Sequence, residues 1–200
     1  VYKRHVYEWA SEGRYEEVIE FLQRPGGRPE GAMYLDDKTG CTALHLACRE
    51  NAPVYVMEAL LWNAREMAWV QDTHDGNSPL HILCGIPGSS EEALLLLIQA
   101  YPFAVFVPNK SGQIPLHIAL WHKSVRVIQI LLQAGPSQIS SCNQDKLRPL
   151  EIMFPKNLES MWYRIATIIG GYHKVSTTED RAALDALAPD QADRPDHRLW

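Results

Sequence analysis

Several things are missing from this 200-residue chain, and each absence removes a class of function. No stretch reaches the ~18 consecutive apolar residues of a bilayer-spanning helix. The longest candidate, Ala93 to Ala100, is too short, so no membrane partner is expected. A basic excess is also lacking: 19 lysines and arginines face 24 aspartates and glutamates, for a net charge of −5 with both signs interspersed. That balance argues against a nucleic-acid groove or an anionic lipid surface. No Walker loop, dinucleotide fingerprint, nucleophile motif or HExxH occurs, so no catalytic residue, cofactor or enzymatic activity is expected. The four cysteines, Cys41, Cys48, Cys84 and Cys142, lack the spacing of a disulfide framework. Free thiols suit a reducing compartment, which points to the cytoplasm with the nucleus as the other choice. The chain opens on Val1 rather than methionine, which reads as a fragment with any targeting segment outside it.

What is present is periodicity. Thr42-Ala43-Leu44-His45-Leu46-Ala47-Cys48, Ser78-Pro79-Leu80-His81-Ile82-Leu83-Cys84 and Ile114-Pro115-Leu116-His117-Ile118-Ala119-Leu120 repeat one pattern, with the aligned leucines 36 residues apart. A degenerate copy, Arg148-Pro149-Leu150-Glu151-Ile152, follows 34 residues on. A fixed period of this size means stacked units, none of which buries its apolar face alone. Gly40, Gly76 and Gly112 stand four residues before the leucines, where a turn needs φ > 0. Thr42 and Ser78 suit N-caps, and Pro79, Pro115 and Pro149 suit the first helical position. Leu44, Ala47 and Cys48 then mark one buried face whose small members let helices approach closely. A second helix is predicted in each unit, over 53–61, over 93–98 behind a capping box from Ser89 to Glu92, and over 125–132. Connectors such as 64–72 and 100–108, apolar at the root and polar at the tip, lead to the next glycine. Upstream, Val6, Trp9, Ala10, Val18, Phe21 and Leu22 outline an amphipathic helix pair.

Thr42-Ala43-Leu44-His45-Leu46-Ala47 resembles the Thr-Pro-Leu-His-Leu-Ala signature of ankyrin repeats, whose unit is a turn and two antiparallel helices. The resemblance implies an all-α helix-turn-helix repeat solenoid with projecting connector loops over residues 1–172. A helical unit at 5–24 is followed by repeats at about 37–72, 73–108 and 109–142 and by a degenerate cap at 143–172; residues 173–200 form a polar, flexible tail. The period of 36 exceeds the usual ~33, which leaves open whether the connector tips are β-hairpins or helical turns. The resemblance also gives His45, His81 and His117 a structural role, bonding the Thr or Ser of their motif and reaching the next loop. Ile114 has no hydroxyl, so the third histidine should be held differently. A metal reading of the pairs His45/Cys48 and His81/Cys84 fails on distance, because packed helices stand ~8–10 Å apart and zinc bonds span only ~2.0–2.3 Å.

Recognition remains, and the expected role is a non-catalytic protein–protein interaction module, monomeric, using the concave face of the stack with another protein as partner. Its candidate contacts at the tips are Asp37, Lys38, Thr73, His74, Asn109, Lys110, Asn143 and Gln144. On the first helices they are Arg49, Glu50, Ile86, Trp121, His122 and Lys123. Trp121 leads this set, because tryptophan is enriched in binding hot spots. The alternative is a regulatory or substrate-docking segment of a larger enzyme whose catalytic part lies outside 1–200.

Overall fold

Each motif helix starts for a local reason. Thr42 is extended, and its hydroxyl accepts the His45 N–H at 3.3 Å, so the helix begins at Ala43; Pro79 and Pro115 open the next two, where a missing N–H costs nothing. The computed structural model describes residues 2–24, 29–122 and 125–149. Its helices are α1 (Tyr2–Ser11), α2 (Tyr15–Gln23), α3 (Ala43–Arg49), α4 (Val54–Asn63), α5 (Pro79–Cys84), α6 (Glu91–Ala100), α7 (Pro115–Trp121) and α8 (Val125–Ala134). Among the described residues no strand forms. One expected cap moves: Ser90, not Ser89, starts α6, its hydroxyl accepting the Ala93 N–H at 3.3 Å. Ser89 lies one residue too far upstream to reach that N–H, and its Oγ is buried without a partner.

The helices stack in two layers, α1, α3, α5 and α7 in one and α2, α4, α6 and α8 in the other. Leu44, Leu80 and Leu116 run through the core between them, and Ala47, Cys48, Cys84 and Ala119 are buried where neighbouring short helices meet. This is the all-α repeat solenoid that the resemblance implied. Most of the expected cap and all of the expected tail lie outside the described residues, which end at 149.

The connectors follow one rule that the motifs did not reveal. Each begins with a 3₁₀ turn, at Pro29–Gly31, Arg65–Ala68, Pro102–Phe106 and Pro136–Ser140. Seven residues after the start of each turn stands an acid or amide that closes the tip: Asp36, Asp72, Asn109 or Asn143. The N–H of that residue donates to the carbonyl of Cys41, Asn77, Gln113 or Leu147 respectively, so the tips are short closed turns preceded by a helical one. Successive tips are joined by backbone bonds, Thr73 N–H to Thr39 O at 2.8 Å, Lys110 N–H to Asp75 O at 2.8 Å and Gln144 N–H to Ser111 O at 3.1 Å. Gly112 makes the last approach feasible, with φ +73° and an added Cβ only 2.7 Å from the Gln144 nitrogen.

Candidate functional site

The C-terminal ends of the short helices and the row of tips form the surface on which the expected contacts lie. Trp121 ends α7 with 69% of its surface exposed, 36 residues after Gly85 and 72 after Arg49. Gly85 stands at the equivalent place one unit upstream, closely surrounded: a Cβ on it would meet the Ile82 carbonyl at 3.3 Å, Ile118 at 3.5 Å and the His122 ring at 3.8 Å. Arg49, Glu50 and His122 are exposed and Ile86 is half-buried, while Lys123 lies outside the described residues. The Arg49 guanidinium donates to the Cys41 sulfur at 3.6 Å.

The tips are laced by side chains as well as by backbone. Thr73 Oγ1 donates to the Lys38 carbonyl at 3.1 Å, the Lys110 ammonium donates to the Thr73 carbonyl, and the Gln144 amide donates to the Lys110 carbonyl. Asp37, Lys38, Thr73, His74, Lys110 and Gln144 are exposed. Two expected contacts are corrected. Asn143 is buried, and its Oδ1 accepts the Leu147 N–H at 2.9 Å. Asn109 is half-buried; its Oδ1 accepts the N–H groups of Ser111 and Gln113, and its Nδ2 donates to Asn77 Oδ1. Both side chains are consumed in closing their own turns, the task that Asp36 and Asp72 perform upstream. Spacing to a glycine does not mark them, since Asp36 and Asp72 precede theirs by four residues, Asn109 precedes Gly112 by three, and no glycine follows Asn143 before Leu147.

Beneath this surface the motif histidines are fixed. The N–H groups of Thr42 and Ser78 donate to Nδ1 of His45 and His81 at 3.1 and 3.2 Å, and their Oγ atoms stand 2.8 Å from the same nitrogens. On the far side, Nε2 meets the carbonyls of Asn77 and Gln113 at 3.2 and 3.0 Å. A backbone N–H only donates and a carbonyl only accepts, so each ring is neutral, with its proton on Nε2. Burial pushes the pKa of both down to about 4, against the pull of the carbonyls they face. His117, expected to be held differently, is corrected: the Ile114 N–H reaches its Nδ1 at 3.2 Å and its Nε2 faces the Leu147 carbonyl at 3.4 Å, so only the hydroxyl is lost. Burial lowers its pKa as well.

Burial raises the Cys48 and Cys84 thiols far above their ordinary range, so both act as compact apolar groups rather than as nucleophiles. Among the described residues no group of three or more His, Cys, Asp or Glu could hold a metal ion, and no helix is long and apolar enough to cross a membrane.

Segments 39–69 and 111–144 match the family model of the Ankyrin repeat. The unit between them shares their helix pair and histidine bonds. The chain is similar to the B-cell lymphoma 3 protein homolog of Mus musculus, 33% identical over 121 residues, or 60% of this chain and 25% of that protein. It is also similar to the Nuclear factor NF-kappa-B p105 subunit of Mus musculus, 29% identical over 60% of this chain and 12% of the relative. The Transient receptor potential cation channel subfamily A member 1 of Homo sapiens is 30% identical over 54% of this chain and 9% of the relative. The chain thus spans a quarter or less of these curated relatives.

Proposed function

We propose that this ankyrin-repeat chain is a non-catalytic protein–protein interaction module whose partner, another protein, lies along the concave face formed by the short helices and the tips. The observation that carries the reading is Trp121, a large ring 69% exposed and in register with Arg49 two units upstream. Tryptophan and arginine are the residues that most often anchor interfaces. Asp37, Lys38, Glu50, His74 and His122 supply a polar rim, which sets specificity more than affinity. The chain acts as a monomer in this reading, in the cytoplasm or the nucleus, where its free cysteines stay reduced.

The test begins with partner capture on the intact chain, followed by affinity measurements on the purified pair. Trp121→Ala should weaken binding by ~2 kcal/mol while leaving stability within ~0.5 kcal/mol. Unchanged affinity would refute the assignment of this face. A second reading is a regulatory or substrate-docking segment of a larger enzyme whose catalytic part lies outside 1–200; the length of the relatives, of which this chain spans 9–25%, favours only its first premise, a longer protein.

A further inference from the structure

A second set of exposed side chains lies on the connectors, none of them among the contacts proposed above. Met33, Trp69 and Phe106 each stand three residues before the tip-closing Asp36, Asp72 or Asn109, so they occupy one position in three successive units. All three are apolar and exposed, at 39%, 49% and 39%. The two residues between each of them and its tip-closing acid or amide, and the pair just upstream, repeat one burial pattern: Ala32, Ala68 and Val105 are buried, Tyr34, Val70 and Val107 half-buried. The stripe is therefore built into the repeat rather than scattered. Tyr101 and Phe103 widen it, with the Tyr101 ring 5.4 Å from Trp69 and 6.3 Å from Phe103. Further along, a Cβ on Gly135 would strike the Phe106 ring, so Phe106 lies over the next unit as Trp69 lies over Tyr101.

We propose that this stripe docks an amphipathic helix with basic flanks, carried by another protein. Spacing selects the helix. Stacked units repeat every ~8–10 Å, and seven helical residues rise ~10.5 Å, so apolar side chains at i, i+7 and i+14 meet the three positions in turn. Three residues of a strand cover the same distance but turn alternate side chains away. Charge selects the flanks. Glu66 stands three residues before Trp69 as an acidic neighbour of the apolar stripe, and the Arg65 guanidinium, next to it in sequence, donates instead to the Gln99 and Ala100 carbonyls at the end of α6. Lysine or arginine on the docked helix would meet that acid.

The experiment uses the whole chain and a synthetic helical peptide of about three heptads, leucine at the heptad positions and lysine on the flanks, labelled for fluorescence anisotropy. Saturable binding is expected, weakened about tenfold or more by Trp69→Ser with Phe106→Ser and unchanged within about twofold by Trp121→Ala. Both substituted rings also pack on the next unit, so circular dichroism and melting temperature of the double variant are measured first; where they fall, Glu66→Lys replaces it and should weaken binding of the lysine-flanked peptide. Absence of saturable binding, equal binding by a glutamate-flanked peptide, or a chain that self-associates through the stripe in sedimentation would each overturn the inference. Loss of binding with Trp121→Ala alone would also overturn it, while leaving the concave-face proposal standing.

Discussion

Acidification should destabilise this protein well above the pH at which its carboxylates titrate. His45 and His81 are neutral in the folded chain, with pKa pushed from 6.5 down to about 4. In the unfolded chain each takes up a proton as the pH falls through 6.5, so between 6.5 and about 4 the unfolded state binds more protons and stability must fall with pH. The stability these rings contribute is complete above 6.5 and gone below about 4. At ~1.36 kcal/mol per pH unit the whole gap is worth ~3 kcal/mol per ring, of which ~2 kcal/mol is lost by about pH 5. Both rings are deeply buried, so solvent screening does not erode the figure. Together they remove ~4 kcal/mol by about pH 5, a large fraction of the ~5–15 kcal/mol that holds a typical domain. Urea denaturation at about pH 7, 6 and 5 measures it, and His81→Gln should flatten the pH dependence by about half of the two-ring share, beyond its own pH-independent cost. Stability that stays level over this range, or a His81→Gln variant with the full pH dependence, would refute the assignment of neutral, Nε2-protonated rings.

Glycine supplies a matched pair: Gly88 and Gly112 both have φ +73°, but an added Cβ meets nothing within 4 Å at Gly88 and the Gln144 backbone at 2.7 Å at Gly112. Gly88→Ala should cost only the ~1–2 kcal/mol of left-handed strain, and Gly112→Ala clearly more by chemical denaturation; equal costs would mean that the tips are not in contact. Native protein should expose one fast-reacting thiol, Cys142, to a disulfide reagent, and denatured protein four, whereas rapid native reaction of Cys48 or Cys84 would contradict their burial. Ala47→Leu should lower stability by ~1–3 kcal/mol, since Ala47 is fully buried where the short helices meet; a neutral result would place that face in solvent.

Helix starts were legible because their determinants are local. Thr42, Pro79 and Pro115 act within one turn, and the 36-residue register carries that reading from unit to unit. Exposure of Trp121 followed from the same register. The 3₁₀ turns were not legible, because the residues that begin them, Pro29, Arg65, Pro102 and Pro136, share a place rather than a chemistry. Asn143 was misplaced because a polar residue near a tip reads as exposed, although its amide is needed inside the turn. The third histidine was misjudged for a different reason: the bond that holds it comes from the Ile114 main chain, which every residue except proline can supply whatever its side chain.

The hydrogen bonds between units have a consequence for how long such a stack can grow. Along the tips, among the described residues, the backbone donor belongs to the downstream unit, as in Thr73 to Thr39 and Lys110 to Asp75. Through the histidines the donor belongs to the upstream unit, as in His45 to Asn77 and His81 to Gln113. The two families of dipoles point in opposite directions along the axis and offset one another, as neighbouring strand dipoles do in a sheet. Units can therefore be added without the end-to-end field that aligned peptides build along a helix, and both ends of the stack stay electrically similar however many units lie between them.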